Sequence, residues 1–299
     1  MNKSIKTNRR LNRKLGRKES FIGFLFTLPS TVGMLLFFVV PFGVCVYMSF
    51  AENLNISKFV GIQNYIDVLS STAFRLAAWN TLKFNLVAVP LIMAGSLAVA
   101  MLLYRKLRGY NFFRTVFIFP LVLPVASVVL FFQIIFSETG MINNILSVFN
   151  IAPVDWINSS NSFVMLLVLY LWKNSGYNII LFLSALNSIP KDYYEAADLD
   201  GAGSFTQLTK ITLPLITPYI FFILVISIIN SFKSFREAFI LFGSHPNQSI
   251  YMIQHFMNNN FQNLNYLRLA VGAIMIFIVI FLLVLLLFRL RSKAGDNEL

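Results

Sequence analysis

The chain has 299 residues, of which 57% are hydrophobic and only 12% charged, with a mean hydropathy of +0.72. Soluble domains carry about 25% charged residues, so this composition excludes a large soluble core and points to a polytopic membrane protein. The net charge of +12 does not signal a nucleic-acid partner. The bases crowd into an N-terminal cluster (Lys3, Lys6, Arg9, Arg10, Arg13, Lys14, Arg17, Lys18) and one short loop (Arg105, Lys106, Arg108, Arg114). No aromatic residues interleave with the N-terminal bases, and clusters of this kind are topogenic charge beside anionic lipid heads. The single cysteine, Cys45, lies in an apolar run, so neither a disulfide nor a cysteine metal cluster is available.

Residues 1–20 form a basic tail, and an apolar run from Phe21 to Phe50 follows. This run is too long for the apolar region of a signal peptide and ends without a small-residue cleavage site, so it reads as an uncleaved first span. Further spans are expected at Thr81–Tyr104, Phe112–Phe136, Phe163–Asn187, Leu213–Phe232 and Leu267–Leu290. Each is long enough to cross about 30 Å of hydrocarbon at about 1.5 Å per residue. Pro90, Pro120 and Pro124 are expected to kink their helices, a distortion that neighbouring helices accommodate. The expected fold is therefore all-α: a six-helix transmembrane domain over 21–290, with a basic tail before it and a short tail, 291–299, after it. Six spans put both termini on one side. The N-terminal tail, the Arg105–Arg114 loop, Lys191, Lys210, Arg291 and Lys293 share that side, and the positive-inside rule makes it cytoplasmic.

Two polar stripes interrupt the apolar helices. Tyr170, Lys173, Asn174 and Tyr177 fall at i, i+3, i+4 and i+7 in the fourth span, and Ser227, Asn230, Ser231 and Ser234 repeat that spacing in the fifth. Polar groups facing lipid are costly, so both faces should meet either a water-filled solute path or another helix. Lys173 is near mid-span, and no Asp, Glu or His falls within any of the six predicted spans. Its charge is therefore expected to be solvated by water, solute or a partner subunit.

Between these two spans lies the longest run of mixed charge and small residues, Glu195-Ala196-Ala197-Asp198-Leu199-Asp200-Gly201, then Ile211-Thr212-Leu213-Pro214. Ser188 and Pro190 suit the start of a short helix from Lys191 to Asp200, with Gly201 as its left-handed stop and a second short helix over Ser204–Lys210. The expected result is a compact knob, about 188–214, held at the cytoplasmic surface. The stretch resembles the EAA loop of the permease subunits of binding-protein-dependent ABC importers: E-A-A, a Gly four residues on, then I-x-L-P after nine more. Every fixed position matches. Phe59-x-Gly61-x-x-Asn64-Tyr65, Asn80-Thr81, Arg114 with Phe119-Pro120 and Pro124, Gly140-x-x-Asn143 and Ser231-Phe232-Lys233-x-Phe235 also resemble the maltose and glycerol-phosphate type of carbohydrate permease. The usual Gly-Gly-Pro is replaced here by Ser244-His245-Pro246.

The resemblance implies a MetI-like permease fold in a bacterial cell membrane. It implies a second homologous permease, two cytoplasmic ATPase subunits and an extracellular solute-binding protein as partners. Glu195 would be the charge contact to an ATPase, Ala196 and Ala197 would allow close approach, and Asp200 and Gly201 would complete the coupling turn. By the same resemblance, the two polar stripes would contact a sugar or polyol, with tyrosines to stack on a ring and Asn and Ser to read hydroxyls. No phosphate-binding G-x-x-x-x-G-K-[ST] occurs, so ATP and Mg would sit on the separate ATPases and this chain would need no cofactor. His245 and His255 fall in one outer loop without metal-ligand spacing and are expected at the surface. No nucleophile–base arrangement suggests an enzyme. The competing class is an ion-coupled secondary carrier, which often relays protons through membrane-embedded Asp, Glu or His; their absence from the six spans weakens proton coupling and leaves sodium sites built from backbone carbonyls open.

Overall fold

The computed structural model describes residues 22–53, 58–104 and 109–295. The basic tail 1–20 and Arg105, Lys106 and Arg108 lie outside them. Among the described residues the secondary structure is helical, apart from one isolated bridge between Ala51 and Phe59. Helix α1 (Ile22–Ser49) is the first span and winds into a π-helical stretch at Leu35–Val39. A short α2 (Gln63–Ser70) leads into α3 (Thr72–Tyr104), whose 33 residues begin nine before the expected second span and continue through Pro90 without a break in the helix.

The expected third span is two helices. α4 (Tyr110–Val122) and α5 (Val125–Ile135) meet at 103°. Pro124 explains the break: it drives the residue before it out of the helical region, and Leu123 sits at φ −68°, ψ 137°. Pro120, inside α4, stays within the helix. Pro124 thus makes a sharp corner where a kink was expected, and Pro120 does not break its helix.

Beyond α6 (Met141–Val148), the fourth span α7 (Ser162–Asn187) is the centre of the bundle, packed against α3, α4 and α9. At its C-terminal end Ile179, Phe182, Leu183 and Leu186 cluster with Ala100 and Leu103 of α3 and with Ile216 and Ile223 of the fifth span. At its N-terminal end Leu166 and Tyr170 pack with Phe84, Ala88 and Ile92. Gly176 lets α4 approach until the carbonyl of Phe117 occupies the space where a β-carbon would be. A short α8 (Asp192–Leu199) is followed by α9, a 39-residue helix over Ser204–Phe242 that includes a π turn at Leu208–Thr212 and a single turn residue at Ser234. The separate second knob helix expected at Ser204–Lys210 is thus the first part of the fifth span. α10 (Ile253–Gln262) and α11 (Tyr266–Gly295) complete the chain.

The asparagines of the quoted motifs tie the outer segments together. Asn64 Nδ2 donates to the carbonyls of Ser49 and Ala51, and Asn80 Nδ2 to those of Gln248 and Tyr251. Asn143 accepts from Val154 N–H and the Trp156 indole while donating to Ser137 and Val154 carbonyls. Gly243, at φ 76°, makes the reversal after α9 one residue before Ser244-His245-Pro246 begins.

His255 departs from its expected surface position. It is fully buried at the start of α10, where its Nδ1 accepts the Met252 N–H at 3.2 Å. Burial pushes its pKa down to about 4, so it is neutral near pH 7. The ordinary value of 6.5 applies once the chain unfolds. The stability of the outer segment is therefore full above about pH 6.5 and declines as pH falls towards about 4, by up to about 3 kcal/mol. Thermal unfolding of the solubilised chain between pH 7 and 4 should show this decline, and His255→Gln should flatten it.

Candidate functional site

Two neighbouring features make up the site: the knob formed by α8 and the start of α9, and a cleft between α7 and α9. Asp192 and Glu195 occupy the first turn of α8, where their charge complements the helix dipole. Ser188 does not cap this helix; it is the C-cap residue of α7 and its hydroxyl donates to the Ala185 carbonyl at 2.7 Å. Lys191 precedes α8 without a side-chain cap. At the other end Gly201 takes φ 75°. Ala202 N–H bonds to Ala197 O at 2.9 Å and Gly201 N–H to Asp198 O at 3.1 Å. That pair of bonds is a complete Schellman stop, and it needs the positive φ that glycine supplies without strain.

Glu195, Ala196 and Asp200 face outward, whereas Ala197 is buried at 8% exposure. Ala197 therefore serves the packing inside the knob, and only Ala196 of the two can admit a neighbour closely. Two outward residues were missed in the sequence: Leu199 is 90% exposed and Phe205 77%. They flank the turn as apolar side chains in an otherwise polar knob, a contrast that the residue order contains but the family pattern does not mark.

The cleft has a volume of about 490 Å³ and is lined by Asn174 and Tyr177 of α7, by Ile226, Ile229, Asn230 and Lys233 of α9, and by Leu121 at the end of α4. The structure therefore divides the two stripes. Asn174, Tyr177 and Asn230 reach the cleft. Tyr170, Ser227, Ser231 and Ser234 are buried in the helix interface. Tyr170 O–H donates to the Ser227 carbonyl at 3.1 Å, and Asn178 Nδ2 donates to Ser227 Oγ at 2.8 Å. Ser231 Oγ bonds Asn85 Oδ1 of α3, and Ser234 Oγ donates to Ser231 O at 2.7 Å. Tyr170, Ser227 and Ser231 thus join neighbouring helices, while Ser234 bonds within α9.

Lys173 requires a correction. Its ammonium pairs with the carboxylate of Glu237 in the same chain, with side-chain exposures of 12% and 9%. The sequence reading ended the fifth span at Phe232, so Glu237 fell outside it; α9 carries on to Phe242 and brings the acid back to Lys173. The stripe itself held the signal, since Ser227, Asn230, Ser234 and Glu237 follow one another at three- and four-residue steps. With Glu237 inside the spanning helix beside Lys173, an absence of acids no longer weighs against proton coupling. The other Glu237 oxygen, Oε2, is buried without a hydrogen-bond partner among the described residues. Lys233, exposed on the cleft, has no acidic side chain in ion-pair range among the described residues. No group of metal-ligating side chains occurs among them either.

The family model for the binding-protein-dependent transport system inner membrane component matches residues 87–293, which include the cleft and the knob. The chain belongs to this family. The arabinooligosaccharides transport system permease protein AraP of Bacillus subtilis is 33% identical over 280 residues, covering 91% of this chain and 88% of that one. The trehalose/maltose transport system permease protein MalF of Thermococcus litoralis is 30% identical, covering 79% and 82%. The sn-glycerol-3-phosphate transport system permease protein UgpA of Escherichia coli is 32% identical, covering 72% and 74%. Among solved structures, a chain of the bacterial alginate ABC transporter, crystallised in complex with an alginate pentasaccharide-bound periplasmic protein, superposes with a TM-score of 0.83 at 21% identity. The superposition covers 93% of this chain and 96% of that chain. The fold is thus that of the MetI-like ABC permeases, and the chain is a multi-pass membrane protein of that family.

Proposed function

We propose that this permease is one transmembrane half of an ATP-driven importer for a saccharide or related polyol. The observation that carries the reading is one of placement: a knob with exposed Glu195, Ala196, Leu199 and Phe205 joins the two helices whose outward portions frame the cleft. Displacement of the knob by an ATPase would then reach both walls of the cleft directly. The names of the arabinooligosaccharide, trehalose/maltose and glycerol-phosphate relatives support the solute class. Asn174, Asn230 and Tyr177 offer amide and phenol groups for solute hydroxyls, and Ile226, Ile229 and Leu121 offer apolar surface for a ring face. The partners would be a second homologous permease, two ATPases that carry ATP and Mg, and an extracellular binding protein. The knob and both termini would face the cytoplasm.

With Cys45 first replaced by alanine, a cysteine at the exposed Ser160 should react with a membrane-impermeant thiol reagent in intact cells. One at the exposed Ser204 should react only after the cytoplasmic side is opened. Labelling of the Ser204 position in intact cells overturns the orientation. For transport, proteoliposomes holding the full assembly should accumulate labelled maltotriose, arabinotriose or glycerol 3-phosphate only when ATP is present. Uptake that ignores ATP and follows a proton or sodium gradient would establish the secondary carrier instead.

A further inference from the structure

The knob is fastened to the fifth span by side chains as well as by the chain itself. Tyr194 and Asp198 sit four residues apart on α8 and so share one face. The Tyr194 phenol lies 2.9 Å from the Thr212 hydroxyl, and Thr212, in the π turn, is 5% exposed. Thr212 Oγ1 in turn donates to the Gln207 carbonyl at 3.3 Å, which leaves its oxygen free to accept the Tyr194 O–H. Gln207 Nε2 closes the loop by donating to Asp198 Oδ1 at 2.5 Å and to the Ala202 carbonyl at 3.0 Å. The face of α8 is therefore held at two points along the first turns of α9. The Tyr194 ring packs on the core cluster around Ile179, Leu186 and Ile216, as Leu213 does.

A π turn is a loose place in a helix. Its bonds run from i to i+5, and such turns occur frequently at functional sites. A push on the knob could be absorbed there by unwinding before it reached the cleft. The Tyr194–Thr212 bond spans this turn from outside, from the knob to the last residue before Leu213. We propose that this bond is a strut that carries displacement of the knob past the π turn into the cleft-bearing part of α9, with Tyr194 and Thr212 as its positioning residues. The proposal rests on the importer reading given above.

The test uses the complete transporter in nanodiscs, with Cys45→Ala and spin labels at Val148→Cys and Ile240→Cys, both exposed on outer elements. Label separations are measured without nucleotide and after trapping with Mg-ATP and orthovanadate. In the parent protein, trapping is expected to shift the distribution. Tyr194→Phe keeps the ring, and Thr212→Val keeps the shape, but each removes the bond. Both should bind and trap nucleotide as the parent does, while the shifted population falls about fivefold relative to the unshifted one, the yield of one net hydrogen bond. Thr212→Ser restores the hydroxyl and should restore the shift, and the double variant should be no worse than either single one. A full shift in both Tyr194→Phe and Thr212→Val overturns the strut. A parent protein that traps nucleotide yet shows no shift overturns the coupling reading, and the strut with it.

Discussion

Glu237→Ala is expected to destabilise the folded chain by about 3–5 kcal/mol, because it leaves Lys173 charged and buried without its counter-ion. The loss should appear in this chain on its own, as a lower unfolding temperature in detergent and a poor yield, since both members of the pair belong to it. Lys173→Met should cost less. Methionine keeps most of the apolar stem of the lysine in place, whereas Glu237→Ala also leaves a cavity. Replacing both, as Lys173→Met with Glu237→Leu, should recover most of the loss, since apolar side chains of similar size often substitute for a buried pair without penalty. A Glu237→Ala chain that unfolds within about 0.5 kcal/mol of the parent, the usual range of a surface change, would show that the pair is not buried in the membrane-embedded protein.

Gly176→Ala should be the most damaging single-methyl change in the bundle. An ideal β-carbon there stands 1.9 Å from the Phe117 carbonyl oxygen, 2.7 Å from its carbon and 3.2 Å from the Ile118 α-carbon. All three are backbone atoms, so no side chain can turn aside and α4 and α7 must separate. Overpacking costs about 1–3 kcal/mol where side chains can adjust, and about 3 or more is expected here. Leu121 is one turn beyond Phe117 and lines the cleft, so the same separation should reshape the solute wall. Gly95→Ala on α3 is the control: nothing lies within 4 Å of its β-carbon, and alanine is the better helix former. If both variants unfold alike, the close approach at Gly176 is absent.

Hydropathy places the middle of a span well and its ends badly, because an outer segment can be polar and still continue the helix. Phe232 looked like the end of the fifth span since Lys233, Ser234 and Arg236 follow at once; packing of Ala238 and Leu241 against the outer clusters keeps the helix going and returns Glu237 to the interior. Pro124 was legible as a proline but not as a corner, because whether a proline kinks or breaks a helix depends on what receives the redirected chain. Here α9 packs on α5 and holds it across the bundle. The stripes show a different limit. Spacing alone put eight residues on two helical faces, yet neighbouring helices cover Tyr170, Ser227, Ser231 and Ser234 and leave Asn174, Tyr177 and Asn230 open. The knob was more legible because it depends on local geometry: Gly201 has to adopt a positive φ whatever surrounds it, and it does.

The π turn at Leu208–Thr212 also sets an angle. Each residue of a regular helix advances its side chain by about 100°, so a turn holding one extra residue rotates everything before it by that amount relative to everything after it. The direction in which Phe205 points is thereby decoupled from the direction in which Asn230 points, although both lie on one helix. Winding all five residues of Leu208–Thr212 as ordinary α-helix would swing the knob by about 100° around the span, whereas deleting one of them would let the segment wind as α-helix with the knob at about its present bearing. Insertions and deletions are usually tolerated in loops and ruinous in helices; at this position the turn absorbs the extra residue, and the knob and the cleft can keep their mutual bearing with or without it.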